Sequence, residues 1–137
     1  MNGTVTIDAS VFVNAFSPTE DGSEHSWNFI TELKDNGTTI LAPFLLLPEV
    51  TASIARKQDN TKLALKLMEE VRHLPNIKLI NMDESLADLA SKIAAENRLR
   101  GSDAVYAAVA KRFATVLITL DREQLELLPN ILSVQKP

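Results

Sequence analysis

Four acidic residues, Asp8, Glu49, Asp103 and Asp121, each stand where an apolar run meets a turn or a helix start. An ionised carboxylate at the end of a buried run is costly to desolvate unless something compensates it. Carboxylates gathered in one pocket also repel one another, which raises the pKa of some members unless cations occupy the space. Hard, oxygen-preferring ions suit such a pocket, meaning Mg2+ or Mn2+. An ion of that kind activates water, orients a phosphodiester and stabilises the leaving oxygen. The chemistry to expect is metal-assisted phosphodiester hydrolysis.

Each acid also has a plainer reading. Glu49 and Asp103 fall in first helical turns, where the helix dipole favours acids by about 0.3–1 kcal/mol whatever the function. Asp121 and Asp8 can cap the helices that follow them. Ser10 and Thr119 lie two residues from Asp8 and Asp121, so their hydroxyls can support a carboxylate or a bound water. Ser10 is equally suited to cap a helix, and Thr119 to be a β-branched strand residue. Arg98 and Arg100 precede Asp103, and Arg122 follows Asp121, which suits them to hold phosphates beside the acids. Arg56, Lys57, Lys111 and Arg112 are further cations nearby, the two lysines reading as solvated surface. His25 and His73 share no ligand spacing and read as surface or loop residues.

The elements that must position these groups alternate between short β-like runs and longer helical ones. Strands are predicted over residues 4–9, 38–42, 77–80, 115–120 and 131–134. Helices are predicted over 11–16 (starting at Ser10), from Trp27 to Asn36-Gly37, from Pro48 towards Lys57, over 60–74, from Asp83 to Arg98, from Ser102 onwards, and around 122–128. Val116, Leu117 and Ile118 give no alternation, as a strand covered on both faces requires. Strands separated by helices imply an α/β domain with a mainly parallel sheet. Function in such sheets gathers outside the carboxyl ends of the strands. Asp8 and Asp121 lie at such ends, and helices carrying Glu49 and Asp103 begin on the same edge. Convergence of the four acids is therefore expected.

The totals set the outer bounds. With 137 residues and 45% apolar content, one domain over residues 1–137 is expected. Its 14 Lys and Arg against 18 Asp and Glu leave a net charge of −4, unlike a protein that coats nucleic acid. There is no cysteine, so disulfides, thiolate zinc sites and cysteine nucleophiles are excluded. Without a basic n-region or an apolar run near the roughly 18 residues of a membrane span, a cytoplasmic protein away from membranes is expected.

Ile7-Asp8-Ala9-Ser10, Leu47-Pro48-Glu49-Val50, Gly101-Ser102-Asp103-Ala104-Val105-Tyr106 and Thr119-Leu120-Asp121-Arg122-Glu123 resemble the motifs of PIN-domain ribonucleases, specifically VapC-type toxins. The likeness runs the whole length, in order. It implies a three-layer α/β/α fold with a central, mainly parallel sheet and an acidic Mg2+ or Mn2+ site formed by Asp8, Glu49, Asp103 and Asp121, with Ser10 and Thr119 in support. It further implies an RNA endonuclease, usually a homodimer, silenced by a VapB-type antitoxin whose tail enters the acidic groove. Ala9 departs mildly from the pattern, since a hydroxyl residue is common beside the first acid; Ser10 follows it. The family also holds stand-alone PIN proteins without an antitoxin.

Two rival readings follow from the same residues. An aspartyl-phosphate phosphatase would use Asp8 as nucleophile but wants a second acid two residues on, where Ser10 stands. A binding module would use the acidic groove to dock a basic peptide, with the active site idle. Gly-rich phosphate loops are absent, as the chain has four glycines and none are paired.

Overall fold

Residues 3–137 are described by the computed structural model. Along them run β1 (Thr4–Ile7), α1 (Ala9–Ala15), α2 (Ser23–Asp35), β2 (Thr39–Pro43), α3 (Leu46–Gln58), α4 (Thr61–Arg72), β3 (Ile77–Ile80), α5 (Glu84–Asn97), α6 (Gly101–Phe113), β4 (Val116–Ile118), α7 (Arg122–Leu127) and β5 (Val134–Gln135). The strands form one five-stranded sheet in the order β3-β2-β1-β4-β5, and every pairing is parallel. Val5, Ile7, Ile40, Ala42, Leu117 and Ile118 are buried in the core, as strands covered on both faces should be.

Strand order explains the layers. From β1 to β3 the chain steps one way across the sheet, and right-handed crossovers keep α1 to α4 on one face. From β3 it returns past β2 and β1 to β4 and β5, so α5 to α7 belong on the other face. The packing agrees: α6 lies on β1, β2 and β4 with α5 against it, whereas α2, α1, α3 and α4 pack in series. This is the α/β/α arrangement. The direction of winding reverses between β1 and β4, and a crevice opens at the carboxyl edge there.

Several boundaries differ from those predicted, each for a local reason. β1 stops at Ile7 because Asp8 already caps α1, so the helix starts at Ala9 and not after Ser10. Helix α3 starts two residues before Pro48, which lies in its first turn. The residue before α6 is Arg100 and not Ser102, and Arg100 makes no side-chain cap bond. β5 falls at Val134–Gln135, because Ile131 and Leu132 first turn back to bond the Leu128 carbonyl. Among the described residues no helix is long and apolar enough to cross a membrane.

Candidate active site

Asp8 leaves β1 into the crevice. Its Oδ1 accepts from the Ser10 backbone N–H at 3.1 Å and from Ser10 Oγ at 2.5 Å, which caps α1. Its Oδ2 accepts from Thr119 Oγ1 at 2.6 Å and from Gln124 Nε2 at 2.9 Å. Only 4% of the residue is exposed. Burial pushes the carboxyl up to about 6, against the pull of the Ser10, Thr119 and Gln124 hydrogen bonds, and the charge on Asp103 adds to the rise.

The two hydroxyls do more than hold Asp8. Ser10 Oγ accepts from the Leu120 N–H at 3.0 Å, and Thr119 Oγ1 accepts from the Asp121 N–H at 2.9 Å. They stitch the end of β1 to the turn after β4, its neighbour in the sheet. That turn delivers Asp121, whose Oδ1 accepts from the Gln124 N–H at 2.9 Å and caps α7.

Asp103 enters from the first turn of α6. Its Oδ1 accepts from Gln124 Nε2 at 3.2 Å and its Oδ2 from Arg100 Nε at 3.1 Å. Arg100 Nη2 also donates to Asp121 Oδ2 at 3.0 Å. Gln124 thus joins Asp8 to Asp103, and Arg100 joins Asp103 to Asp121. Burial raises the Asp103 pKa, the neighbouring Asp121 charge raises it further, and Arg100 opposes both. Asp103, Asp121 and Glu123 each offer a carboxylate oxygen within 4.8 Å of the others, close enough to share one cation.

Glu49 is positioned separately, in the first turn of α3, and is not one of those three closely spaced acids. Buried Tyr106 of α6 donates its hydroxyl to Glu49 Oε1 at 2.6 Å. Burial, then Glu49, Asp8 and Asp103 in turn, push the phenol pKa up, so Tyr106 acts as a donor. Glu49, Ser10, Arg100 and Asp121 line a common cleft of about 820 Å³.

The other predicted residues lie elsewhere. Arg98 is exposed in the left-handed conformation at the end of α5, donating to the Ala95 carbonyl at 3.0 Å. Arg122 is exposed at the first position of α7. Of the three arginines expected to hold phosphates, only Arg100 lines the cleft. His25 bonds the Pro137 carbonyl and His73 the Glu69 carbonyl, both on exposed surface.

Sequence reasoning passed over Gln124, Tyr106 and Glu123. Gln124 did leave a signal: it precedes Leu128 by four residues, and both are fully buried on the inward face of this end of the chain. A polar residue on such a face needs a polar partner, and Asp8 is that partner. Tyr106 is almost completely buried. Its hydroxyl, however, needed a partner too.

A parallel α/β sheet whose winding reverses at a crevice defines the class of open α/β folds that bind ligands at the carboxyl edge of the sheet, and here acids converge there. The PIN domain family model matches residues 5–127, and the chain belongs to that family. No curated protein sequence matches the chain. Among solved structures, VapBC2 from Rickettsia felis, bound to a DNA fragment from their promoter, superposes with a TM-score of 0.73 at 16% identity, covering 98% of each chain. A toxin–antitoxin complex from Klebsiella pneumoniae gives 0.67 at 18% identity over 97% of each chain. The Sarcin-Ricin loop cleaving toxin VapC20 from Mycobacterium tuberculosis gives 0.71 at 13% identity, covering 86% of this chain and 90% of its own. At such identities these likenesses establish the fold.

Proposed function

We propose that the protein is a divalent-metal-dependent endoribonuclease of the VapC type, the toxin of a toxin–antitoxin pair. The observation that carries the reading is the convergence of Asp103, Asp121 and Glu123, tied to Asp8 through Gln124, with Asp121 at the wall of an open polar cleft that Glu49 also lines. The donor set fits Mg2+ or Mn2+: it is all oxygen, strongly anionic, and two of its three acids, Asp103 and Asp121, are already bridged by one cation, the Arg100 guanidinium. Asp103, Asp121 and Glu123 would hold the ion, with Asp8 and Glu49 beside them. When bound, the ion supplies an acidified water and neutralises charge at the scissile phosphate. Ser10, Thr119 and Gln124 hold Asp8 in one orientation, Tyr106 does the same for Glu49, and Glu49, which lines the cleft, would accept the proton that the attacking water gives up.

The likeness to VapC20 and to the Klebsiella complex supports a toxin with a VapB-type partner. So does an apolar groove of about 360 Å³ between α2 and α4, where half-exposed Trp27 stands beside Phe12, Ile30 and Val71, a surface suited to an amphipathic helix. The phosphatase reading fares worse. Asp8 is buried and all its lone-pair directions face donors, which is poor placement for a nucleophile.

Purified protein incubated with total cellular RNA is expected to yield discrete fragments with Mg2+ or Mn2+, and none with EDTA or in an Asp103→Asn variant. Metal-independent fragments, or full activity in the variant, would overturn the nuclease reading. Metal binding without cleavage of any RNA would leave the docking module.

Arg100 makes a separate prediction. The guanidinium side of its two ion pairs is exposed to solvent, so each is worth about 0.2–1 kcal/mol, but a cation must displace them to reach Asp103 Oδ2 and Asp121 Oδ2. Arg100→Ala is therefore expected to tighten Mn2+ binding roughly three- to tenfold by calorimetric titration. Weaker binding in that variant would mean that Arg100 props the acids open and does not compete for them.

A further inference from the structure

We propose that Arg56 anchors a phosphate of the bound strand away from the scissile one, so that the substrate lies along α3. This rests on the nuclease reading and adds a direction to it. Three cations line the cleft beside Glu49 and Asp121: Arg56, Lys57 and Arg100. Lys57 is paired with Glu20, and Arg100 straddles Asp103 and Asp121. Arg56 is exposed and, among the described residues, has neither a hydrogen bond nor an ion pair. The three acids that line the same cleft are met by other groups, Glu20 by Lys57, Asp121 by Arg100 and Glu49 by Tyr106, so the Arg56 guanidinium is left for a polyanion that enters.

The spacing gives that polyanion a path. Arg56 follows Glu49 by seven residues, two turns on and almost the same face of α3, about 10 Å along the helix. That distance corresponds to about two or three phosphates of one strand. On α3 between Glu49 and Arg56 the cleft is lined by the short side chains of Ala52 and Ser53. Acids therefore hold cations at the carboxyl edge of the sheet, and Arg56 meets backbone charge further along. A phosphate contact of this kind positions a strand without reading its bases.

The test is binding of a fluorescent single-stranded RNA oligonucleotide to cleavage-dead Asp103→Asn protein over a series of salt concentrations. For a single strand each phosphate neutralised contributes about 0.7 to the slope of log K against log salt. Arg56→Ala in that background is expected to flatten the slope by about 0.7 and to weaken binding at low salt, while Arg56→Lys keeps the slope. Lys111→Ala serves as control: Lys111 lies in the last turn of α6, away from the cleft, and should leave the slope unchanged. An unaltered slope in Arg56→Ala beside normal binding by the parent overturns the role of Arg56 and leaves the nuclease reading standing. No salt-dependent binding by the parent itself overturns both. Equal flattening by Lys111→Ala would reduce the effect to net charge and overturn the assignment.

Discussion

Asp8→Asn is expected to abolish RNA cleavage and, with EDTA present at pH 8, to make the protein more stable. The reason is the raised pKa. Asp8 moves from 3.8 to about 6 on folding, so the folded state holds a proton that the unfolded state has released. Stability contributed by this group is therefore highest below about pH 4 and falls as pH rises through 6. At about 1.4 kcal/mol per unit, the deficit above pH 6 is on the order of 3 kcal/mol. Asparagine removes that charge but fits imperfectly. Its Oδ1 must face the Ser10 N–H, which turns its Nδ2 towards Gln124 Nε2, donor against donor. A net gain of about 1–2 kcal/mol at pH 8 follows, shrinking towards zero or reversing near pH 4. Urea unfolding of both proteins at pH 4 and pH 8 measures it. A variant destabilised equally at both pH values would show that Asp8 is not a strained charge.

Gln124→Leu is expected to lose activity by about 10- to 100-fold, the range typical of groups that orient metal-holding residues. Among the described residues its Nε2 is the sole side-chain link between Asp8 Oδ2 and Asp103 Oδ1, and leucine keeps the bulk while removing both bonds. Hydrogen bonds to charged groups are worth about 1.5–3 kcal/mol each, so a destabilisation of roughly 2–4 kcal/mol is expected at pH 8. Part of it is regained because Gln124 Oε1 is buried without a partner and disappears with the amide. Losing a donor to its carboxylate raises the Asp8 pKa further, and protonation then relieves the unmet charge. The defect should accordingly be smaller at pH 5 than at pH 8 in the same unfolding experiment. An active variant with ordinary stability would remove Gln124 from the site.

Sequence carried the fold well because the parallel sheet depends on local pattern. Apolar strands such as 116–118 and helix stripes such as Leu63, Leu67 and Val71 record burial directly. It also placed Asp8 and Asp121 at strand ends and Asp103 and Glu49 in first helical turns, where the structure has them. What it could not carry were the bonds between distant segments. Gln124 reaches Asp8 across 116 positions, and Tyr106 reaches Glu49 across 57. Neither pairing has a periodicity, so both side chains read as ordinary helix residues. The choice between capping and chemistry for Asp8 and Asp121 turned out to be no choice geometrically. Each caps its helix through Oδ1 and turns Oδ2 towards the network.

That division within each carboxylate has a consequence for ion discrimination. Asp103 and Asp121 each commit Oδ1 to Gln124 and leave Oδ2 to Arg100. A cation replacing the guanidinium meets single oxygens, not chelating pairs, and must keep much of its own water. Calcium seeks about six to eight oxygens and often takes both atoms of a carboxylate, whereas magnesium retains several waters and accepts one or two acids. On the proposed metal-dependent reading, the hydrogen bonds that start α7 and seat Gln124 would tilt the pocket towards the smaller, wetter ion.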